Sequence, residues 1–360
     1  MRHNHQMKKD LKGVVRMRKS LIAGLILLIA IVFAAIGASS AGTDESAITR
    51  ITLGSKITIS GTGATINGSD VEITESGSYS ITGTLKGGVI RVTTMDAVFI
   101  ELDGAFVKNS DGPVLTSNGD VTIDLKSWTC STLANTNHDA EDEVVSVGGN
   151  LVIMGSGLLE VLGNYCSGIS VSGDVTVSDG TIKLYALNDG ISGRGEISLN
   201  GGSIAVDCDG KGIYSKGELT ITGGKVISVG GAGDGEGGLL SDVGLKVTGG
   251  TVIATGNKIA ANTGSTQTSI YAETGAKMDA GDCFYIMYDS EGMFAFAPSN
   301  AYSNLYYSSA DLVEGETYDI HVGGKIKNMF SNTIYTSTRY FSVVQDIVLS
   351  EEAKLGATGL

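Results

Sequence analysis

The sequence predicts an all-β chain folded as a parallel β-helix with about 22 residues per coil and β-rich caps at both ends. Three series of residues carry that expectation. Strand-like stretches open at Asp174, Glu196 and Glu218 and keep one step along the chain. A second series, Asp179-Gly180-Thr181-Ile182, Gly201-Gly202-Ser203-Ile204 and Gly223-Gly224-Lys225-Val226, keeps the same step. So does a third, the pairs Gly168-Ile169, Gly190-Ile191 and Gly212-Ile213. A fixed period of about 20–50 residues marks stacked units that bury a core only against their neighbours. Two short alternating strands and a tight glycine turn per unit make each unit one coil.

Composition agrees. The chain of 360 residues has 52 Gly but 2 Pro, which excludes collagen and a Pro-rich linker. Glycine here serves turns that need positive φ. Aromatics are 6%, so Val, Ile and Leu must fill the coils, as suits a pleated surface. The net charge is −14, although residues 1–20 hold seven Lys or Arg against one Asp. The body is therefore strongly acidic. Nucleic acid is excluded as a partner, because phosphate binding needs a basic footprint. An acidic polymer would need local cations or a bridging metal.

Residues 1–42 read as a signal peptide or N-terminal anchor. Arg16, Arg18 and Lys19 precede an apolar run at 21–36, and Ala38 to Ala41 offer small residues for cleavage. A spanning helix wants about 20 apolar residues, so cleavage is favoured. An uncleaved segment would be the chain's one membrane contact. Either way the expected location is secreted or cell-surface, where disulfides are permitted. Cys166 and Cys208 fall in different columns of the repeat and so do not pair. Cys208 alternates in phase with Ile204 and Val206 and points inward as a small hydrophobe. No CxxC or CxxH spacing suggests zinc.

Residues 43–88 form an N-terminal β cap of short alternating strands around Ile57, Val71 and Tyr79. Coils occupy 89–280. An irregular insertion at 127–143 holds Trp128 and the acidic run Asp139, Glu141, Asp142 and Glu143, read as a solvated face. The Gly-rich stretch 230–238 bulges as a loop. Strand alternation places Val175, Val177, Ile182, Leu184, Ile197, Leu199, Ile204, Val206, Leu219, Ile221 and Val226 inside. Beyond Ile259 the period fades. Aromatic strands near Phe284, Met293, Tyr306 and Tyr318 give a C-terminal β cap over 281–343, which blunts an open sheet edge. A tail follows at 344–360.

These motifs, taken in order, resemble a known family. The line at 151–165, the Gly-Ile pair, Gly180-Thr181-Ile182, the turn Asn188-Asp189-Gly190-Ile191, the earlier stretch 102–113 and the late stretch 313–324 are similar to secreted bacterial and archaeal carbohydrate-binding domain-containing proteins. The resemblance spans about 50–325. It implies a polysaccharide-lyase-like, right-handed β-helix, binding of cellulose or pectic acid, and calcium held by acidic turn residues. The sequence departs from that pattern at Cys166-Ser167 and at Lys211, where acids would help an ion.

Two groups of residues are the candidate sites. Asn188, Asp189, Asp207, Asp209 and Asp234, with Asn164, are candidate calcium ligands, since stacked turns bring oxygens together and Ca²⁺ takes about 6–8 of them. Asp and Asn also favour turns with no ion present. Tyr165, Tyr185 and Tyr214, expected along one side of consecutive coils, with Trp128 in the insertion, would stack on sugar rings. Lys183, Arg194, Lys211 and Lys216 would meet carboxylates. Lys211 beside Asp189 and Asp209 is the one grouping suited to a lyase base, and no diagnostic catalytic motif accompanies it. The reading is an extracellular, non-catalytic, calcium-assisted polysaccharide-binding protein. A calcium-dependent polysaccharide lyase is the alternative, and a structural surface adhesin the second.

Overall fold

The computed structural model describes residues 48–136, 142–289 and 291–323, with short strand segments at Ile334–Tyr335, Tyr340–Phe341, Ala353–Leu355 and Thr358–Gly359. The N-terminal export or anchor segment, Asp139 and Glu141 of the acidic insertion, and most of the tail lie outside these residues. The described residues are all-β. Parallel strands stack into a solenoid of about 7 turns with about 24 residues per turn. No helix among them is long and apolar enough to cross a membrane.

Each coil carries three strands rather than the expected two. In one coil these are Val175–Val177, Thr181–Ala186 and Ile191–Gly193. The first face stacks Val121–Leu125, Leu151–Gly155, Val175–Val177, Ile197–Leu199, Glu218–Ile221 and Gly244–Val247 in parallel register. The second stacks Cys130–Asn135, Leu158–Gly163, Thr181–Ala186, Ser203–Cys208, Lys225–Val229 and Thr251–Gly256. The third stacks Leu115–Ser117, Glu143–Val147, Ser167–Val171, Ile191–Gly193, Lys211–Ser215 and Gly237–Ser241.

The Gly-Ile pairs open the third strand, and their glycines are not turn glycines. Gly168, Gly190 and Gly212 are absent from the positive-φ positions. A Cβ on Gly190 would collide with the Gly212 carbonyl and a Val206 methyl, and one on Gly212 with the Gly238 carbonyl and the Ser228 hydroxyl. Glycine is there because the next coil and the side chains of the second face leave no room. The true turn glycines lie between the first and second strands, where Gly180, Gly202 and Gly224 have φ of 98°, 74° and 77°.

The interior follows the alternation. Every side chain placed inside from Val175 to Val226 is at most 1% exposed. Register turns these into ladders, such as Leu159, Ile182, Ile204 and Val226 on the second face. Cys208 stands in register with Ala186, which in turn pairs with Gly163, so Cys166 belongs to another column. None of the four cysteines is in a disulfide. Burial pushes the Cys208 thiol well above its usual pKa and that of Cys166 to about 11.

The irregular insertion is narrower than the sequence suggests. Cys130–Asn135 is a regular strand of the second face. Its inward positions include Ser131 and Asn135, both buried, and these polar residues break the apolar alternation. The Ser131 hydroxyl fills its place by accepting the Ala105 N–H at 3.1 Å.

Both ends of the stack are closed by reversed strands. Ile48–Leu53 pairs antiparallel with Thr58–Ser60 and parallel with Gly77–Lys86. At the other end Tyr302–Ser308 runs antiparallel to Thr251–Gly256. The aromatic segment also covers a side. Ala205, Ile227, Val229 and Ile253, on the outer surface of the second face, share a second core with Phe284, Phe294, Phe296, Tyr302 and Tyr307. Phe294 and Tyr307 stack there at 4.6 Å.

Two outcomes are expected. Leu184→Ala, a truncation at a wholly buried ladder position, should lower stability by about 2–5 kcal/mol in denaturant unfolding. A thiol reagent should modify Cys130 alone in the folded chain, because it is exposed while Cys166, Cys208 and Cys283 are buried. All four should react after denaturation.

Candidate functional site

The third face presents a straight row of polar side chains. Thr116, Ser146, Ser170, Ser192 and Tyr214 occupy one register position in successive coils. Each points outward because its neighbours in sequence are buried, as in the burial pattern of Ser167–Val171. Parallel stacking spaces such residues by about 4.8 Å. The row ends at Tyr214 and a depression of about 250 Å³ lined by Lys211, Tyr214, Leu240, Asp242 and Lys258.

Tyr214 is fixed from two sides. Its hydroxyl donates to Asp242, with both carboxylate oxygens at 3.0 Å. The Lys211 ammonium lies 4.0 Å from its ring centroid, a cation–π distance. Burial, then the hydrogen bond to Asp242, raises the tyrosine's pKa. The hydroxyl therefore stays protonated as a donor at neutral pH. Arg194 and Lys216 extend this cationic side. Each follows a third-face strand, and each N–H bonds the preceding coil, to Val171 O and Gly193 O at 3.0 Å. Their side chains thus leave from stacked positions of neighbouring coils.

Asp189 has a structural task. Its Oδ1 accepts the Lys211 N–H at 2.8 Å, one coil further on. The corner before the first face repeats the device. Asp120 Oδ1 accepts the Asn150 N–H at 2.7 Å, Asn150 Oδ1 that of Asp174 at 2.8 Å, and Asp174 Oδ1 that of Glu196 at 2.8 Å. Sequence reasoning missed this ladder as an interaction. Its signal is the polar Asp, Asn or Glu that precedes each first-face strand.

The other expected site residues fall elsewhere. Tyr165, which is exposed, lies at the corner between the second and third faces. Tyr185 and Lys183 point outward from the second face, where Lys183 neighbours Glu160 in register. Tyr185 and Tyr214 therefore do not form the common aromatic platform expected for one side of the coils. The extra strand turns the chain through one more corner and puts them on different faces.

Of the expected calcium ligands, Asn188, Asp189, Asp209 and Asp234 share the corner between the second and third faces in three successive coils, and Asp207 is set apart from them. Asp207 is a strand residue, wholly buried beneath the C-terminal segment. The Ser299 hydroxyl donates to its Oδ1 at 2.7 Å, and Asn300 Nδ2 donates to Cys208 O at 2.7 Å. Asn188 is exposed and Asp209 half-buried at the corner after the second face, and Asp234 is exposed in the 230–236 loop. Among the described residues, no three His, Cys, Asp or Glu side chains form a grouping that could hold a metal ion. Carboxylates alone therefore do not close an ion site at this corner.

Comparison with known proteins follows this geometry. The family model of a carbohydrate-binding domain-containing protein matches residues 67–290, more than half of the chain. The chain is also similar to the solved structure of a polysaccharide lyase-like protein from C. thermocellum, a gadolinium derivative. That similarity is 22% in identity with a TM-score of 0.45, over 60% of this chain and 96% of that one. No protein of curated function matches the chain.

The Asp189 hydrogen bond makes a testable distinction. Asp189→Ala removes the acceptor for the Lys211 N–H and should cost about 1 kcal/mol in denaturant unfolding. Asp189→Asn should be nearly neutral, since Asn150 performs the same task with an amide oxygen. A carboxylate needed for an ion would be lost equally in both variants, and the two would then fall together in the presence of calcium.

Proposed function

We infer that the chain binds polysaccharide without cleaving it: it belongs to the carbohydrate-binding domain-containing protein family. One observation carries the placement of binding on the third face. The Lys211–Tyr214–Asp242 cluster stands at the end of a flat hydroxyl row, beside a depression. A pyranose ring has an apolar C–H face and a polar rim. The face stacks on an aromatic ring, and the rim exchanges hydrogen bonds with hydroxyls, carboxylates and ammonium groups.

Lys211, Arg194 and Lys216 favour a glycan that carries carboxylates. They stand among the carboxylates Asp189, Asp242, Glu196 and Glu218 in a chain whose net charge is −14, and so offer an acidic polymer individual cations rather than a positive field. Pectin-like chains fit this side, and cellulose-like chains fit the hydroxyl row. The pairing within the cluster supports binding over cleavage. Tyr214 is kept protonated, and Lys211 rests on its ring, so both act as fixed contacts. A calcium ion could join only as a bridge between a glycan carboxylate and the Asp209 corner, with most of its oxygens supplied by the glycan and water. The basic flank and apolar run at 16–36 support export, which puts the binding face in contact with extracellular polymers.

Native gels cast with polygalacturonate or with hydroxyethylcellulose test this reading. The wild-type chain should be retarded by at least one polymer. Tyr214→Ala should weaken that retention roughly tenfold, about 1.4 kcal/mol, whereas Tyr185→Ala on the neighbouring face should not. Adding a chelator to the polygalacturonate gel isolates any calcium bridge. Absence of retention by both polymers would sink the proposal. Release of an ultraviolet-absorbing unsaturated product would replace it with a lyase.

A further inference from the structure

Trp128 is the protein's single tryptophan, and it is wholly exposed, at 101% of the reference accessibility. It lies in the turn between Val121–Leu125 and Cys130–Asn135, on the edge where the first face meets the second. Along this edge the positive-φ residues of later coils are glycines, Gly155 at the end of a first-face strand and Gly180, Gly202, Gly224 and Gly250 just before second-face strands. The longer turn at 126–129 has no glycine, and in it a tryptophan takes positive φ, at 64°. Left-handed backbone is unfavourable for any residue bearing a Cβ. An indole in water buries nothing that would offset that cost. Glycine would adopt this backbone at lower cost, so the outlier points to a contact made outside the chain.

The turn is also firmly held. The Thr129 N–H and hydroxyl both donate to Lys126 O, at 3.3 and 2.8 Å. The Leu158 N–H donates to Thr129 O at 2.9 Å, and the hydroxyls of Ser127 and Ser156 lie 2.7 Å apart. The ring thus rises from a fixed base. Two residues before it, the Lys126 ammonium sits 2.6 Å from Asp103 and 3.7 Å from Glu101. These side chains are 44%, 31% and 30% exposed, respectively. An exposed indole two residues along the turn from a solvent-accessible ammonium and its carboxylate partners has the chemistry that recognises a pyranose, stacking on its C–H face and pairing its hydroxyls.

We propose that the Trp128 turn is a second glycan contact, separate from the third face, whose indole stacks on a pyranose with equatorial hydroxyls, as in a β-1,4-linked glucan. This rests on the reading of the chain as a polysaccharide binder. In a three-sided coil the edge between the first and second faces lies opposite the third. One glycan strand lying on the third face does not reach it, so the two contacts give the protein a means of joining two glycan strands.

The single tryptophan makes the test direct. Cellohexaose is titrated into the full chain while indole emission is followed, and retention in hydroxyethylcellulose gels is measured for wild type, Trp128→Gly and Trp128→Phe. Emission should shift to the blue and saturate. Trp128→Gly should weaken retention roughly tenfold, with a melting temperature equal to or above that of wild type because the backbone strain is relieved. Trp128→Phe should keep most of the retention. Wild-type retention with unchanged emission, or with Trp128→Gly held as tightly, overturns the Trp128 site and leaves the polysaccharide reading standing. A wild-type chain retained by neither hydroxyethylcellulose nor polygalacturonate removes both.

Discussion

Register between coils is the constraint on which everything else in this protein depends. Each strand completes its hydrogen bonds only with the strands before and after it, so residues one coil apart are forced into the same position on the same face. That requirement makes ladders of whatever occupies a position. Inward positions become columns of Val, Ile and Leu, since a polar side chain repeated there would accumulate unsatisfied groups. Outward positions become rows of like chemistry. Corner positions become either glycine, where the neighbouring coil leaves no space, or Asp and Asn, whose side-chain oxygens hold the N–H of the next coil.

The same constraint shapes the surfaces available for binding. A stack of parallel strands offers long, flat faces and an open sheet edge at each end. The C-terminal aromatic segment removes one of these faces from solvent over the last coils, by packing Phe284, Phe294 and Phe296 against Ile227, Val229 and Ile253. It draws Asp207 into that interface through Ser299. The third face keeps its row of Ser and Thr, with Tyr214, Lys211 and Asp242 at one end. Polymer recognition suits this arrangement, because a repeating surface meets a repeating ligand. Departures from the repeat then stand out as candidate contacts, and Trp128 is the clearest of them.

Function and structure place different demands on the acidic residues. From spacing alone, Asp189, Asp207, Asp209 and Asp234 look like a column of ion ligands. In the fold they do different things. Asp189 accepts a backbone N–H, Asp207 is buried at the junction with the C-terminal segment, and Asp209 and Asp234 lie one and two coils beyond Asp189 at the same corner. Turn-forming preference and ligand preference use the same residue types, so spacing cannot separate them.

The sequence by itself determined the solenoid, the phase of its interior from Val175 to Val226, and the separation of Cys166 from Cys208. These follow from local periodicity, which each coil repeats and each neighbour reinforces. Only the tertiary structure decided that a coil has three strands, and hence that Tyr185 and Tyr214 lie on different faces. A strand as short as Ile191–Gly193 is too brief to show an alternation of its own, and its glycine reads as a turn until the coil above is seen to need the space. The covering of the second face was also hidden. Outward Ala205, Ile227 and Val229 acquire meaning only against a sheet that comes much later in the chain. The exposure of Trp128 was a matter of the fold as well, because a turn's direction is set by the coils it joins and not by the residues within it.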